Sequence, residues 1–181
     1  MNGSPDMPLR PLSMVSHPED RDLRFIMRLS DSAFKKACLG MEVGDTAHIF
    51  GPEGRFTLGN NPGGLVFLVG GIGITPVIPM LRELEKRAHR APVCLFHSNR
   101  HGEDVICRED LRAISLESFV HIPVLTSEMP RINEELISSH VPDPGTMDYF
   151  VVGSRSFIRS MKDLLRHMQI PEERVHLDDF G

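Results

Sequence analysis

The chain has 181 residues, of which 40% are hydrophobic and 25% charged, and a formal net charge of −5. That length allows one good domain or one and a fraction, the composition supplies a core, and the charge, with no basic run, argues against a nucleic-acid partner. Three scattered cysteines, Cys38, Cys94 and Cys107, form neither a disulfide framework nor a metal or iron–sulfur ligand set, and no apolar run spans a bilayer, so a soluble protein of a reducing cytoplasm is expected.

From the N-terminus, residues 1–8 read as a polar, proline-rich lead-in. Residues 10–16 alternate as a strand does, and residues 22–29 read as a second strand. Ser30 or Asp31 can cap a short helix, with Lys35 and Lys36 in or just past its first turn, where cations oppose the helix dipole and a bound anion would relieve them. Residues 46–50 form a third predicted strand, closed by the Gly51-Pro52-Glu53-Gly54 turn. Residues 59–64, Gly-Asn-Asn-Pro-Gly-Gly, have the composition of a linker.

The chain is organised around residues 65–76. Leu65-Val66-Phe67-Leu68-Val69 reads as a strand buried on both faces. Gly70, Gly71 and Gly73 let the backbone turn sharply and leave room for a close approach. Thr75 suits an N-cap and Pro76 the first helical position, ahead of apolar residues at Val77, Met80, Leu81, Leu84 and Ala88. Strand, glycine turn and helix N-terminus together make an anion site, usually for a nucleotide pyrophosphate. The G-x-G-x-x-G pattern is not met, because Pro76 stands at its third glycine, and no Gly-Lys-Ser/Thr makes this a P-loop.

Residues 92–96 read as the next buried strand. Ser98 and Arg100 lie just past its end, where they could meet the adenosine side or a 2′-phosphate, whereas Asp104 could accept from ribose hydroxyls. These features pull oppositely and leave open whether a bound dinucleotide carries a 2′-phosphate or a free ribose hydroxyl. A helix over 106–116, a strand over 119–125, a helix over 131–140 and a last core strand from Asp148 to Gly153 complete the pattern. Phe157, Ile158, Met161, Leu164, Leu165 and Met168 share one helical face and belong to the core. The nine histidines are dispersed without metal spacing and read as surface or satisfied core residues.

Several of these segments, in this order, resemble the ferredoxin–NADP reductase superfamily. Arg10-Pro11-Leu12-Ser13-Met14-Val15-Ser16 is similar to its flavin signature R-x-Y-S-x-x-S, Asp31-Ser32-Ala33-Phe34-Lys35-Lys36 to a flavin-phosphate segment, and Gly51-Pro52-Glu53-Gly54-Arg55-Phe56 to its G-P-x-G-x-F. The glycine heptapeptide resembles its pyridine-nucleotide motif. Asp148 to Arg155 resembles its Y-x-C-G-P block, with Val152 and Ser154 in place of Cys and Pro, and the ending resembles P-E-E-R-I-H-x-E-x-F. The resemblance implies a doubly wound, parallel five-stranded α/β sheet over 65–181, preceded by an incomplete antiparallel β-barrel over 1–58 and a linker over 59–64. It implies FAD, with Arg10 and Lys35 at the flavin phosphates, Leu12, Ser16 and Phe180 around the flavin, and Ser13 near N5 as the catalytic candidate. It implies NADH or NADPH held by Gly71, Gly73, Ile74, Thr75 and Pro76, with Ser98, Arg100, Asp104 and Gly153 completing that site. The implied activity passes hydride from nicotinamide to flavin and electrons onward to a separate acceptor, a small protein or small molecule. The alternative is a nucleotide-binding or electron-transfer subunit without a stable flavin. For the incomplete barrel the expectation is that an oligomer or partner chain covers it, that it is partly mobile, or that the sequence is a fragment or short form. Gly73→Asp is expected to block the nucleotide and leave the fold largely intact.

Overall fold

The computed structural model describes residues 10–179. Five strands, β1 (Leu65–Gly70), β2 (Val93–Asn99), β3 (Phe119–Leu125), β4 (Asp148–Gly153) and β5 (Val175–Asp179), form one sheet in the order β3-β2-β1-β4-β5, with every pair parallel. The helices are α1 (Ala33–Leu39), α2 (Val77–Lys86), α3 (Arg108–Ala113), α4 (Glu134–His140) and α5 (Arg155–His167).

The apolar run of β1 has no polar face because both faces are covered. Leu65, Phe67 and Val69 enter a core with α2 and α3, while Val66 and Leu68 enter a second core with Ile137 of α4 and Ile158, Met161 and Leu165 of α5. The chain moves outward from β1 through β2 to β3, then returns to the other side of β1 as β4. This reversal opens a crevice at the carboxyl ends of β1 and β4.

Several element ends differ from expectation. The glycines coil into a short 3-10 turn, Gly71–Ile74, so Pro76 takes the cap position and α2 starts at Val77. β2 runs on to Asn99, where its register with Leu125 ends. α3 is shorter than 106–116, and α4 begins after Asn133, whose side chain accepts from the Leu136 N–H at 2.9 Å. The family-like ending supplies the fifth, edge strand.

The N-terminal part departs most. Residues 10–16, 22–29 and 46–50 are not regular strands. Among the described residues one antiparallel bridge, Met14 to Phe25, joins the first two, with the Val15 N–H donating to the Arg24 carbonyl at 2.8 Å. An alternating segment becomes a strand only when neighbours satisfy its backbone, and these have one rung between them. α1 is capped by Ser32 rather than Ser30 or Asp31 and buries no residue. The segment instead lies along the core shared by α2 and α3. Val15 and Leu58 are buried in it, Ile26 and Phe56 pack against it, and the Phe56 ring meets Phe150 edge-on at 5.5 Å. Charges fasten it. Asp20 forms a two-pronged pair with Arg82 at 2.5 and 2.6 Å, His17 meets Glu83 at 3.0 Å, Glu19 pairs with Lys86, and Arg24 with Asp110. The Arg82 guanidinium, helped by the His17 N–H, lowers the Asp20 carboxyl to about 2. Leu23, Leu29, Leu39, Met41, Val43, Ile49 and Phe50 remain exposed along this segment.

Candidate functional site

The crevice is built from backbone, and its glycines have different duties. A Cβ on Gly73 would lie 2.7 Å from the Val152 carbonyl oxygen and 3.2 Å from the Gly153 nitrogen, so this glycine seats the turn directly on the end of β4. A Cβ on Gly70 would lie 3.0 Å from the Phe157 ring, and one on Gly153, at φ +156°, would meet Phe157 at 3.0 Å and the Gly70 Cα at 3.2 Å. Gly71 is different. It sits at φ +52°, and the nearest group to its absent Cβ is the Arg28 guanidinium at 3.5 Å. Gly71 therefore faces an open side that a cation already flanks. The first N–H groups of the turn lack helical acceptors.

Ile74 and Thr75 are buried under the turn. The Thr75 hydroxyl donates to the Ile72 carbonyl at 3.0 Å, as does its N–H at 3.1 Å, so Thr75 locks the turn rather than capping α2. Pro76 is half-buried at the start of α2. Because Gly73 makes room for the backbone of β4, the expectation that Gly73→Asp leaves the fold intact does not hold.

At the end of β2, His97 is fully buried and its Nε2–H donates to the Gly71 carbonyl at 2.9 Å. Burial lowers it to about 4, so the imidazole is neutral. Ser98 is half-buried and Arg100 exposed, the Arg100 carbonyl accepting from Ser127. The Asp104 carboxylate accepts from the His101 N–H at 3.0 Å and caps its own short turn, so one of its oxygens is engaged. On the far side of the crevice Gly153 closes β4, and the Ser154 hydroxyl accepts from the Phe157 N–H to cap α5.

The expected flavin residues are not gathered in the same way. Arg10 is exposed, Leu12 and Ser13 are half-buried, and Lys35 is half-buried on α1. Ser16 is buried, with its hydroxyl accepting from the Arg24 N–H at 3.1 Å. Among the described residues no hydrogen bond or ion pair joins Arg10, Ser13 or Lys35 to one another or to the glycine turn. Phe180 lies outside the described residues. Two residues escaped the sequence reading. Arg28 sits in a segment that reads only as a strand. His97 was one of nine dispersed histidines, and its signal was a polar residue closing a run of buried apolar ones. Among the described residues no group of His, Cys, Asp and Glu could hold a metal, and no helix is long and apolar enough to cross a membrane.

Residues 67–163 match the family described as the oxidoreductase NAD-binding domain. The chain is 26% identical over 151 residues to a flavohemoprotein of Pseudomonas putida, covering 78% of this chain and 38% of that protein. It is 32% identical over 129 residues to component C of the methane monooxygenase of Methylosinus trichosporium, covering 70% and 37%. The chain thus spans under two fifths of the length of these curated relatives. Among solved structures, a ferredoxin–NADP reductase of Neisseria gonorrhoeae with bound FAD and NADP superposes with a TM-score of 0.74 at 20% identity, covering 94% of this chain and 79% of that one.

Proposed function

We propose, from the fact that this chain belongs to the oxidoreductase NAD-binding domain family, that it binds NADH or NADPH at the β1–β4 crevice and works as a flavin-dependent NAD(P)H oxidoreductase. The observation that carries the reading is the glycine turn seated on β4, with its open side at Gly71 flanked by the Arg28 guanidinium. This arrangement fits a dinucleotide pyrophosphate, which needs backbone N–H donors, a nearby cation and no Cβ in the way. On this reading Gly71 and Arg28 hold the pyrophosphate. Gly73, Ile74, Thr75 and Pro76 build the turn, Ser98 and Arg100 or Asp104 face the adenosine end, and Gly153 lets β4 end close against Gly70 and Phe157 on the nicotinamide side.

Residues 1–58 form the flavin side, 59–64 the linker and 65–181 the nucleotide side. Arg10 and Lys35 serve the flavin phosphates, Leu12, Ser16 and Phe180 its surroundings, and Ser13 its N5. The fit of these residues to FAD is less complete than that of the turn to the dinucleotide, since Arg10 is exposed and the Ser16 hydroxyl is already bonded. With both groups held there, the nicotinamide would supply a hydride and the flavin would accept it, and the role of the protein's residues is to orient the two. Electrons then pass to a separate acceptor in the cytoplasm. The likeness to a methane monooxygenase component supports a protein acceptor. The exposed row Arg155, Arg159, Lys162 and Arg166 on α5 supports one with a negatively charged face. The exposed apolar residues between Leu23 and Phe50 support a further chain, or a second copy, over the N-terminal segment.

A second reading, a nucleotide-binding or electron-transfer subunit without its own stable flavin, is favoured by the single bridge that joins the N-terminal segments. Visible absorption of the purified chain separates the two, first with FAD added, then with NADH or NADPH. A retained flavin spectrum that one nucleotide bleaches supports the reductase and names its donor. Nucleotide binding without flavin retention supports the second reading. Failure to bind either nucleotide overturns both.

A further inference from the structure

Two successive carbonyls of the glycine turn are each held by a separate donor. Thr75 holds that of Ile72, through both its N–H and its hydroxyl. His97, from the neighbouring strand, holds that of Gly71. A peptide unit is planar and trans, so the Gly71 carbonyl and the Ile72 N–H point in opposite directions. With the carbonyl drawn in toward buried His97, the Ile72 N–H is turned outward. Gly71 needs such a tether, because a glycine at φ +52° passes between backbone conformations at little cost and could turn this peptide over.

His97 is also an expensive way to fill the core. It is wholly buried, its Nδ1 has no partner among the described residues, and the His121 ring 6.1 Å away offers an Nε2 that is likewise unpartnered. An apolar side chain of that size would fill the same space with no stranded polar atom. Its one hydrogen bond goes to the turn.

We infer that His97 is a positioning residue for the nucleotide site: its Nε2–H holds the Gly71–Ile72 peptide so that the Ile72 N–H faces the bound pyrophosphate beside Arg28. The inference rests on the dinucleotide reading above. It adds a residue that never touches the ligand and acts through one peptide plane.

The test compares His97→Gln, His97→Asn and His97→Leu in the full chain, by titration with NADH and NADPH and by thermal melting. A glutamine amide reaches the position of Nε2, whereas an asparagine amide, one carbon shorter, does not. Gln should bind within about threefold of wild type, and Asn and Leu about tenfold more weakly, the worth of one hydrogen bond. In turnover the loss should fall on KM with kcat unchanged. If the Leu variant does not fold, the Gln–Asn pair alone decides. Equal affinity for Gln and Asn, or wild-type affinity in a folded Leu variant, overturns the role of His97. A wild-type chain that binds neither nucleotide overturns instead the reading on which it rests.

Discussion

Gly73→Ala adds one methyl group at the most crowded point of the crevice. That methyl would sit 2.7 Å from the Val152 carbonyl oxygen, about 0.7 Å short of the 3.4 Å at which such contacts become ordinary. The obstacle is the backbone of β4, a strand hydrogen-bonded on both sides, so the turn must lift away instead. Forcing a methyl into a packed site costs about 1–3 kcal/mol, and the stiffer unfolded chain of alanine returns about 0.4–1 kcal/mol of that. A net loss of roughly 1–2 kcal/mol in a chain of this size lowers Tm by roughly 2–8 °C. Lifting the turn also moves Gly71 and its N–H groups, so nucleotide affinity should fall in the same variant. Thermal melting and nucleotide titration read the two effects. Gly145→Ala, where a Cβ would meet nothing within 4 Å, is the control and should change neither. A Gly73→Ala protein that melts within about 1 °C of wild type and binds nucleotide normally would refute the packing argument.

Three further outcomes are expected. Arg28→Ala, at an exposed side chain, should weaken NADH or NADPH binding about tenfold while moving Tm by no more than about 1 °C. Asp20, lowered by Arg82 from 3.8 to about 2, gives stability that is present above pH 4 and lost as pH falls toward 2. Melting curves of Asp20→Asn should lack that acid-side slope. His97, lowered by burial from 6.5 to about 4, leaves the unfolded chain with more bound protons across that window. Stability should therefore fall by up to about 3 kcal/mol as pH drops from 6.5 to 4, and denaturant unfolding of His97→Gln should show a flatter profile.

The parts legible in the sequence are those whose pattern has one physical solution. Five apolar residues without a polar break need cover on both faces, and Leu65 to Val69 receive it from two cores. The apolar stripe of α5 names its own buried side in the same way. What could not be read depends on partners distant in the chain. Alternation over residues 10–16 and 22–29 describes strands, but not whether neighbours exist to pair them, and here one bridge forms. Gly73 reads as room for a ligand, yet the room is taken by the carbonyl of Val152. Thr75 has the preference of an N-cap, but three glycines wind the turn ahead of it and draw its hydroxyl back to Ile72. Arg28 and His97 carry no local signal of purpose, because both meet Gly71 only once the fold is made.

The way residues 15–58 lie on α2 bears on what the protein is as a thermodynamic unit. A cut at the glycine-rich linker would respect the sheet and sever no strand pairing. It would nonetheless strip Val15, Ile26, Phe56 and Leu58 from the core that α2 and α3 share, and deprive Arg82 and Lys86 of their acidic partners. The architectural boundary and the boundary of cooperativity therefore do not coincide. In native-state hydrogen exchange, amides of α2 should open together with those around Val15, as one foldon rather than two.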